Sequence, residues 1–373
     1  MDTGAVVIPP YVGRPLRLAP FRGLRLTPRR VGDPASGRLF ARPYRAVPGR
    51  LAQWQERGQL RHDGEPAVYL HEYTAAGLTV RGLVGALDIS HRASGPEDRA
   101  VLPHEGIHPV QADELADRMT ELALNPAPIL LVHRAPASVR AVVHQVLATE
   151  PEDDFVDRNE QRHRVWAIRD PDLLATLDDG LATSQALIAD GHHRYAAYLR
   201  MQRRHPGGAN DRGLAMLVDQ EDTPLFLGPI HRVLTGVGLD DLAAAAEVVG
   251  AGFDVVDRTA AVHALGPTTL AATDGRRWAV LKLHLPEERA AVEQLHEDLV
   301  PALPRGPQRI EYHHSVETTL DRLRRDSIAV LMPAPDVDLV HQIAADDRLL
   351  PEKATSFQPK PSVGVLIRSL RDG

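Results

Sequence analysis

Cysteine is absent from this chain, which removes disulfides, thiolate metal sites and every mechanism with a cysteine nucleophile. Only His, Asp and Glu remain as plausible metal ligands. Aromatic residues are scarce at 4%, so the cores must be built mostly from Leu, Val, Ile and Ala, and the 43% hydrophobic content is ordinary for a globular protein. No apolar run approaches the length of a membrane span. The opening Met1-Asp2-Thr3-Gly4 lacks the basic region and apolar core of a secretory signal, so the expected location is the cytoplasm. A net charge of −7 disfavours general affinity for nucleic acid and points to a small-molecule ligand.

What is present fills two domains: 373 residues suffice for two separate cores. Residues 1–50 are rich in Pro, Gly and Arg and read as an extended arm, whose Arg22 and Arg42 are first of all solvated or paired cations. Strand-like runs at 67–73 and 78–89 flank Gly77 and predict a β-hairpin. Helical spacing follows at 113–124, 138–149 and 170–181, alternating with strands at 129–132 and 163–168 and an acidic loop at 150–154. Gly236-Val237-Gly238 marks the expected junction, giving domains 1–235 and 236–373. In the second, helices at 239–249, 287–299, 316–325 and 337–346 alternate with strands at 253–256, 268–272, 278–283, 309–313, 328–332 and 363–367, as in an α/β layer domain.

The chain is organised around residues 187–200. Leu187-Ile188-Ala189 suits a buried strand end, Asp190-Gly191 turns the chain, and Tyr195, Tyr198 and Leu199 share a helical face. A helix start offers backbone N–H groups and the positive end of its dipole, and His192, His193 and Arg194 add donors and charge. This reads as a place for an anion, most plausibly phosphate. The competing reading makes Asp190 a helix cap, pairs Arg194 with a carboxylate and leaves the histidines on the surface. A second candidate is His104-Glu105, set after the apolar Val101-Leu102-Pro103, where Glu105 could accept a proton from a hydroxyl or the pair could ligate a metal.

Ala189-Asp190-Gly191-His192-His193-Arg194-Tyr195 resembles the hallmark segment of an uncharacterised prokaryotic family, domain of unknown function "ten-fifteen". Pro20-Phe21-Arg22, Leu102-Pro103-His104-Glu105, Asn125-Pro126, His163-Arg164-Val165-Trp166, His231-Arg232-Val233 and residues 350–360 fall in the family's order, so the likeness spans nearly the whole chain. One departure stands out: Ala41-Arg42-Pro43-Tyr44-Arg45 replaces the family's Ala-Pro-Pro-Tyr-Asp, so an activity that used that acid would be altered or lost here.

The central motif is also similar to that of the ParB and sulfiredoxin superfamily, which includes a free-serine kinase. The resemblance implies a ParB/sulfiredoxin-like N-terminal core beside the second α/β domain. Sulfinic acid repair is excluded, since His192 stands where sulfiredoxin has its Cys, and ParB's helix-turn-helix is not evident. A kinase-like activity on a small hydroxylated metabolite such as free serine is the leading expectation, with ATP or ADP as nucleotide and Mg²⁺ as a possible companion. In that scheme Gly191, His192, His193 and Arg194 hold phosphate, Asp190 and His193 act in the transfer, and Glu105 is the base. His104, His231, Lys353 and Lys360 are candidate substrate contacts. The alternatives are a nucleotide-sensing regulatory protein, or a metal-dependent hydrolase using His104, Glu105, Asp190, His192 and His193; adjacent helical histidines diverge, which weakens the last.

Overall fold

The structure is a computed structural model and describes residues 6–41 and 47–372, so Arg42, Arg45 and the opening Met1-Asp2-Thr3-Gly4 lie outside the described residues. Among the described residues no helix is long and apolar enough to cross a membrane. The fold is mixed α/β and divides into two units. The first holds the described residues up to Pro103, Ile107–Leu225 and the chain from Pro359 on; the second holds His104–Gly106 and Phe226–Gln358.

The first unit is built on a large sheet. Its core path runs Val101–Leu102, Ala186–Asp190, Ile129–His133, Arg212–Asp219, Leu78–Asp88, Val68–Ala75, Arg162–Ile168, Asp153–Val156. The expected hairpin is present, turning at Ala76 and Gly77, whose positive φ values of 49° and 79° suit a tight two-residue turn. Two pairs are parallel, Ala186–Asp190 with Val101–Leu102 and Arg212–Asp219 with Ile129–His133; the other neighbours along the path are antiparallel. Helices Pro109–Leu122, Ala137–Leu147, Pro171–Leu181 and His192–Arg204 supply Met119, Val142, Leu177, Tyr195 and Tyr198 to one continuous buried core. Asp170 caps the third of these helices, accepting from the N–H groups of Asp172 and Leu173.

Two segments depart from the sequence reading. Within the presumed extended arm, Pro34–Ala41 is a helix that begins on its proline, the position where a missing N–H does no harm. Part of the acidic loop is the edge strand Asp153–Val156, where Asp153 and Asp154 are matched by Arg25 and Arg162.

The second unit carries a six-stranded sheet in the order Gly252–Val256, Trp278–Lys282, Thr269–Thr273, Ser327–Leu331, His231–Thr235, Arg309–His313. Every pairing in it is antiparallel. His231–Thr235 sits between two strands of this sheet, so residues 226–235 belong to the second unit instead of ending the first. The chain from Pro359 returns to the first unit, where Ile367–Ser369 pairs with Gly23–Leu26 and Leu124–Asn125. The helix expected over 287–299 starts later, at Ala291, and passes through a π-helical stretch, Gln294–Leu299, before it ends at Ala302.

Candidate functional site

The strand Ala186–Asp190 buries Leu187, Ile188 and Ala189 and ends on Asp190, where its register against Ile129–His133 shifts by a bulge. Gly191 follows at φ 98°, a left-handed conformation that disfavours any side chain, and the helix His192–Arg204 starts without a side-chain cap. The absence of a Cβ matters for a second reason. One built there would come within 3.0 Å of Nε and Nη2 of Arg194, which folds back over the turn. Arg194 donates from Nη2 to Asp190 Oδ2 and from Nη1 to the Pro128 carbonyl.

The other oxygen of Asp190 accepts from Nζ of Lys360. One carboxylate is therefore held between two cations, one from its own turn and one from the C-terminal segment. That segment is fastened in place: Tyr73 Oη donates to the Pro359 carbonyl at 2.7 Å, Gln161 Nε2 to the Lys360 carbonyl at 3.1 Å, and the Ser362 N–H to Gln161 Oε1 at 3.1 Å. Burial, and then the charge of Asp190, push the Tyr73 hydroxyl well above its usual range, so it acts as a neutral donor. Asp190, Arg194 and Lys360 border a cavity of about 330 Å³ whose remaining wall includes Leu115, Met119, Pro126 and Pro128.

The histidines of the motif go elsewhere. His192 is buried, and His193 accepts the His108 N–H on Nε2 at 3.1 Å while its ring stacks on that of His108. Neither forms part of the cavity wall. Tyr195 and Tyr198 are core residues, as helical spacing indicated: Tyr195 Oη donates to the Pro10 carbonyl at 2.8 Å and Tyr198 Oη to the Ala127 carbonyl at 3.2 Å.

A buried chain of polar groups that sequence reasoning missed runs beneath the C-terminal segment. His163 Nδ1 lies 3.0 Å from His71 Nε2, and His163 Nε2 lies 3.1 Å from Asp157 Oδ2. Asp157 also accepts from the N–H groups of Asn159 and Gln161. Burial pushes both imidazoles below the usual histidine value, so two neutral rings end on the Asp157 carboxylate, which, against burial, hydrogen bonds from Ser362 and His163 hold below its usual range, and the row braces the loop holding Lys360 and Ser362.

The remaining candidates lie in the second unit. His104 is fully buried with Nε2 2.7 Å from Thr355 Oγ1, and Glu105 accepts from the same hydroxyl at 3.4 Å. Burial raises Glu105, opposed by the charge of Lys353 and the N–H groups of Thr355 and Ala354. His231 accepts the Met332 N–H on Nδ1 at 3.1 Å and is pushed down to about 4 by burial and by Arg232 beside it. The structure thus groups Asp190, Arg194 and Lys360 in one unit, and His104, Glu105 and Lys353 around Thr355 in the other. Among the described residues no group of three or more His, Asp or Glu side chains is placed to hold a metal ion.

The sequence profile of the family described as protein of unknown function (DUF1015) matches residues 18–303. The chain belongs to the DUF1015 family. No curated protein matches this DUF1015 chain by sequence. Solved structures similar to it include a C-terminally truncated SbnI from Staphylococcus aureus, at 12% identity and a TM-score of 0.42, covering 72% of this chain and 83% of that one. A mutant free serine kinase in complex with AMP is 15% identical with a TM-score of 0.41, covering 77% and 92%. A conserved hypothetical protein from Pyrococcus furiosus is 16% identical with a TM-score of 0.39, covering 73% and 93%.

Proposed function

We propose that this DUF1015 protein is a nucleotide-dependent phosphotransferase acting on a small hydroxylated metabolite such as free serine, with a ParB/sulfiredoxin-like core in its first unit. The observation that carries the reading is Asp190 held between Arg194 and Lys360 on the wall of a cavity of about 330 Å³. Two cations against one carboxylate leave a net positive corner at a helix start, the setting that favours phosphate. A phosphate entering there takes over the guanidinium and the ammonium, and Asp190 is freed to receive a substrate hydroxyl. Catalysis of phosphoryl transfer is mostly positioning and charge stabilisation, which this set of side chains supplies. The cavity lies within the size range of small-molecule sites.

Mg²⁺ would sit with the nucleotide. The ion is commonly held by one or two carboxylates together with substrate phosphates, and Asp190 is the acid this cavity provides. The test is calorimetry of the full chain with ADP, ATP and adenosine, followed by phosphorus NMR of mixtures with serine and related hydroxyl compounds. Binding of ADP at least tenfold tighter than adenosine, with a phosphorylated product, is the expected result. Equal affinity for ADP and adenosine sinks the phosphate assignment, and tight binding without turnover across the panel leaves a nucleotide sensor instead.

A further inference from the structure

Arg232, on an interior strand of the second unit's sheet, is 1% exposed. Its Nε donates to His296 Nε2 at 3.1 Å, its Nη1 to the Ile230 carbonyl, and its Nη2 to the Lys353 carbonyl at 3.0 Å, while the guanidinium carbon lies 5.4 Å from the centre of the Tyr312 ring. All these partners are neutral. Among the described residues no carboxylate comes within 4.0 Å of it to form a salt bridge. Three of its five N–H groups are used and two remain. Burial brings the guanidinium down to about 10, against the pull of Tyr312 and Glu105, and brings His296 down to about 4. A buried cation without an ion-pair partner is costly, and proteins that keep one commonly spend it on a ligand.

Arg232 also lines the second unit's large cleft, of about 420 Å³. Much of the wall is apolar, with Ile230, Leu285, Val292, Met332 and Leu339 among four prolines, while Thr268, Glu287, Arg289 and Asp336 are its other polar members, and every residue of it belongs to this unit. The other arginine on the wall, Arg289, is already bound to Glu297 and Asp298. Arg232 is thus the one cation of this wall without an ion-pair partner. We propose that this cleft is a binding site for a small organic acid, its carboxylate on Arg232 and its aliphatic body against the Leu285, Met332 and Leu339 wall.

The polarity of the site sets the ligand class. One guanidinium with two spare donors matches a single carboxylate. A nucleotide would bring several negative charges to a wall where Arg289 is already paired and Glu287 and Asp336 are acids. The site is separate from the Asp190 corner and does not depend on it.

The experiment is calorimetry on the full chain with hexanoate, octanoate and decanoate, and with octanol and methyl octanoate as uncharged controls. Affinity should rise about fourfold for each methylene added while the chain still fits the cleft. Octanol and the methyl ester should bind at least tenfold more weakly than octanoate. Arg232→Met should abolish the preference for the acid. Since that variant leaves three acceptors unpaired and could fail to fold, Leu339→Trp, which fills the cleft from its partly exposed helix, serves as the second variant and should lower octanoate affinity at least tenfold with an unchanged circular dichroism spectrum. Arg194→Ala should leave octanoate binding unaltered. Equal binding of acid and ester, octanoate affinity retained in Leu339→Trp, or its loss in Arg194→Ala would each overturn the assignment.

Discussion

Lys360 donates to the Asp190 carboxylate across 170 positions of sequence, tying the C-terminal segment to the turn that starts the central helix. The contact makes two opposite demands on Lys360. It neutralises Asp190 in the ligand-free protein, and in the proposed complex it must turn to phosphate. Because Lys360 is about half exposed, the ion pair itself adds little stability, roughly 0–1 kcal/mol. Lys360→Ala should therefore leave the thermal midpoint within a degree or two while weakening ADP about tenfold, the scale of one charge-assisted hydrogen bond. Arg194→Ala should weaken ADP by more, because it also releases the Pro128 carbonyl. Unaltered ADP affinity in both variants, measured by calorimetry, removes the phosphate from this corner.

Gly191 offers a sharper probe of the same geometry. Its φ of 98° strains any other residue by about 1–3 kcal/mol, and a Cβ would press on the Arg194 guanidinium at 3.0 Å. Gly191→Ala should lower the free energy of urea unfolding by about that amount and displace Arg194 from Asp190. Nucleotide affinity should then fall as far as in Arg194→Ala. A variant that loses stability but keeps full affinity would mean that Arg194 does not contact the ligand.

Much of this corner could be read from residues 187–200, because apolar run, Asp-Gly turn and helical spacing are local signals that agree with one another: strand Ala186–Asp190 and helix His192–Arg204 stand where expected. The destinations of the side chains were not local. Composition favoured His192 and His193 as anion ligands, yet one is buried and the other accepts the His108 N–H, a partner fixed by how helix packs on loop. Lys360 looked like an exposed lysine in a Pro-broken loop, and only the return of the chain to the first unit shows its partner. The row His71, His163, Asp157 depends on the antiparallel register that sets His163 opposite Tyr73, information carried by strand pairing and absent from either strand alone. Arg232 was visible within a family word, but its isolation from carboxylates is a property of the folded sheet.

Buried histidines predict an acid-labile fold. His71, His133, His163, His231 and His296 are all pushed below the ordinary value of 6.5, chiefly by burial, and three of them to about 4. Between about pH 6.5 and 4 the unfolded chain therefore holds protons that the folded chain does not. Stability is at its full value above 6.5 and declines as the pH falls through this window, by up to about 1.4 kcal/mol per pH unit for each such histidine. Glu105, raised by burial, works in the opposite sense but is a single group. Urea midpoints at pH 7.5, 6 and 5 should descend steadily. A midpoint that stays constant to pH 5 would show that these imidazoles are charged or solvated in the folded protein.

The last prediction concerns how the central helix is seated. Gly213, on the strand Arg212–Asp219, faces the Tyr198 ring so closely that a Cβ would lie 2.3 Å from Cδ2, inside any real contact. Tyr198 has little freedom to yield, since it is buried and its hydroxyl donates to the Ala127 carbonyl, next to the Pro126 and Pro128 wall of the cavity. Gly213→Ala should cost about 1–3 kcal/mol through overpacking and should also weaken ADP, because the helix that carries Arg194 must shift. Adding Tyr198→Leu should restore part of the stability, a positive coupling that separates a steric clash from a backbone preference of the strand. If Gly213→Ala unfolds within 0.5 kcal/mol of the parent protein (about the scatter expected of a neutral surface change), the helix does not rest on this glycine and its position cannot be what sets Arg194 over Asp190.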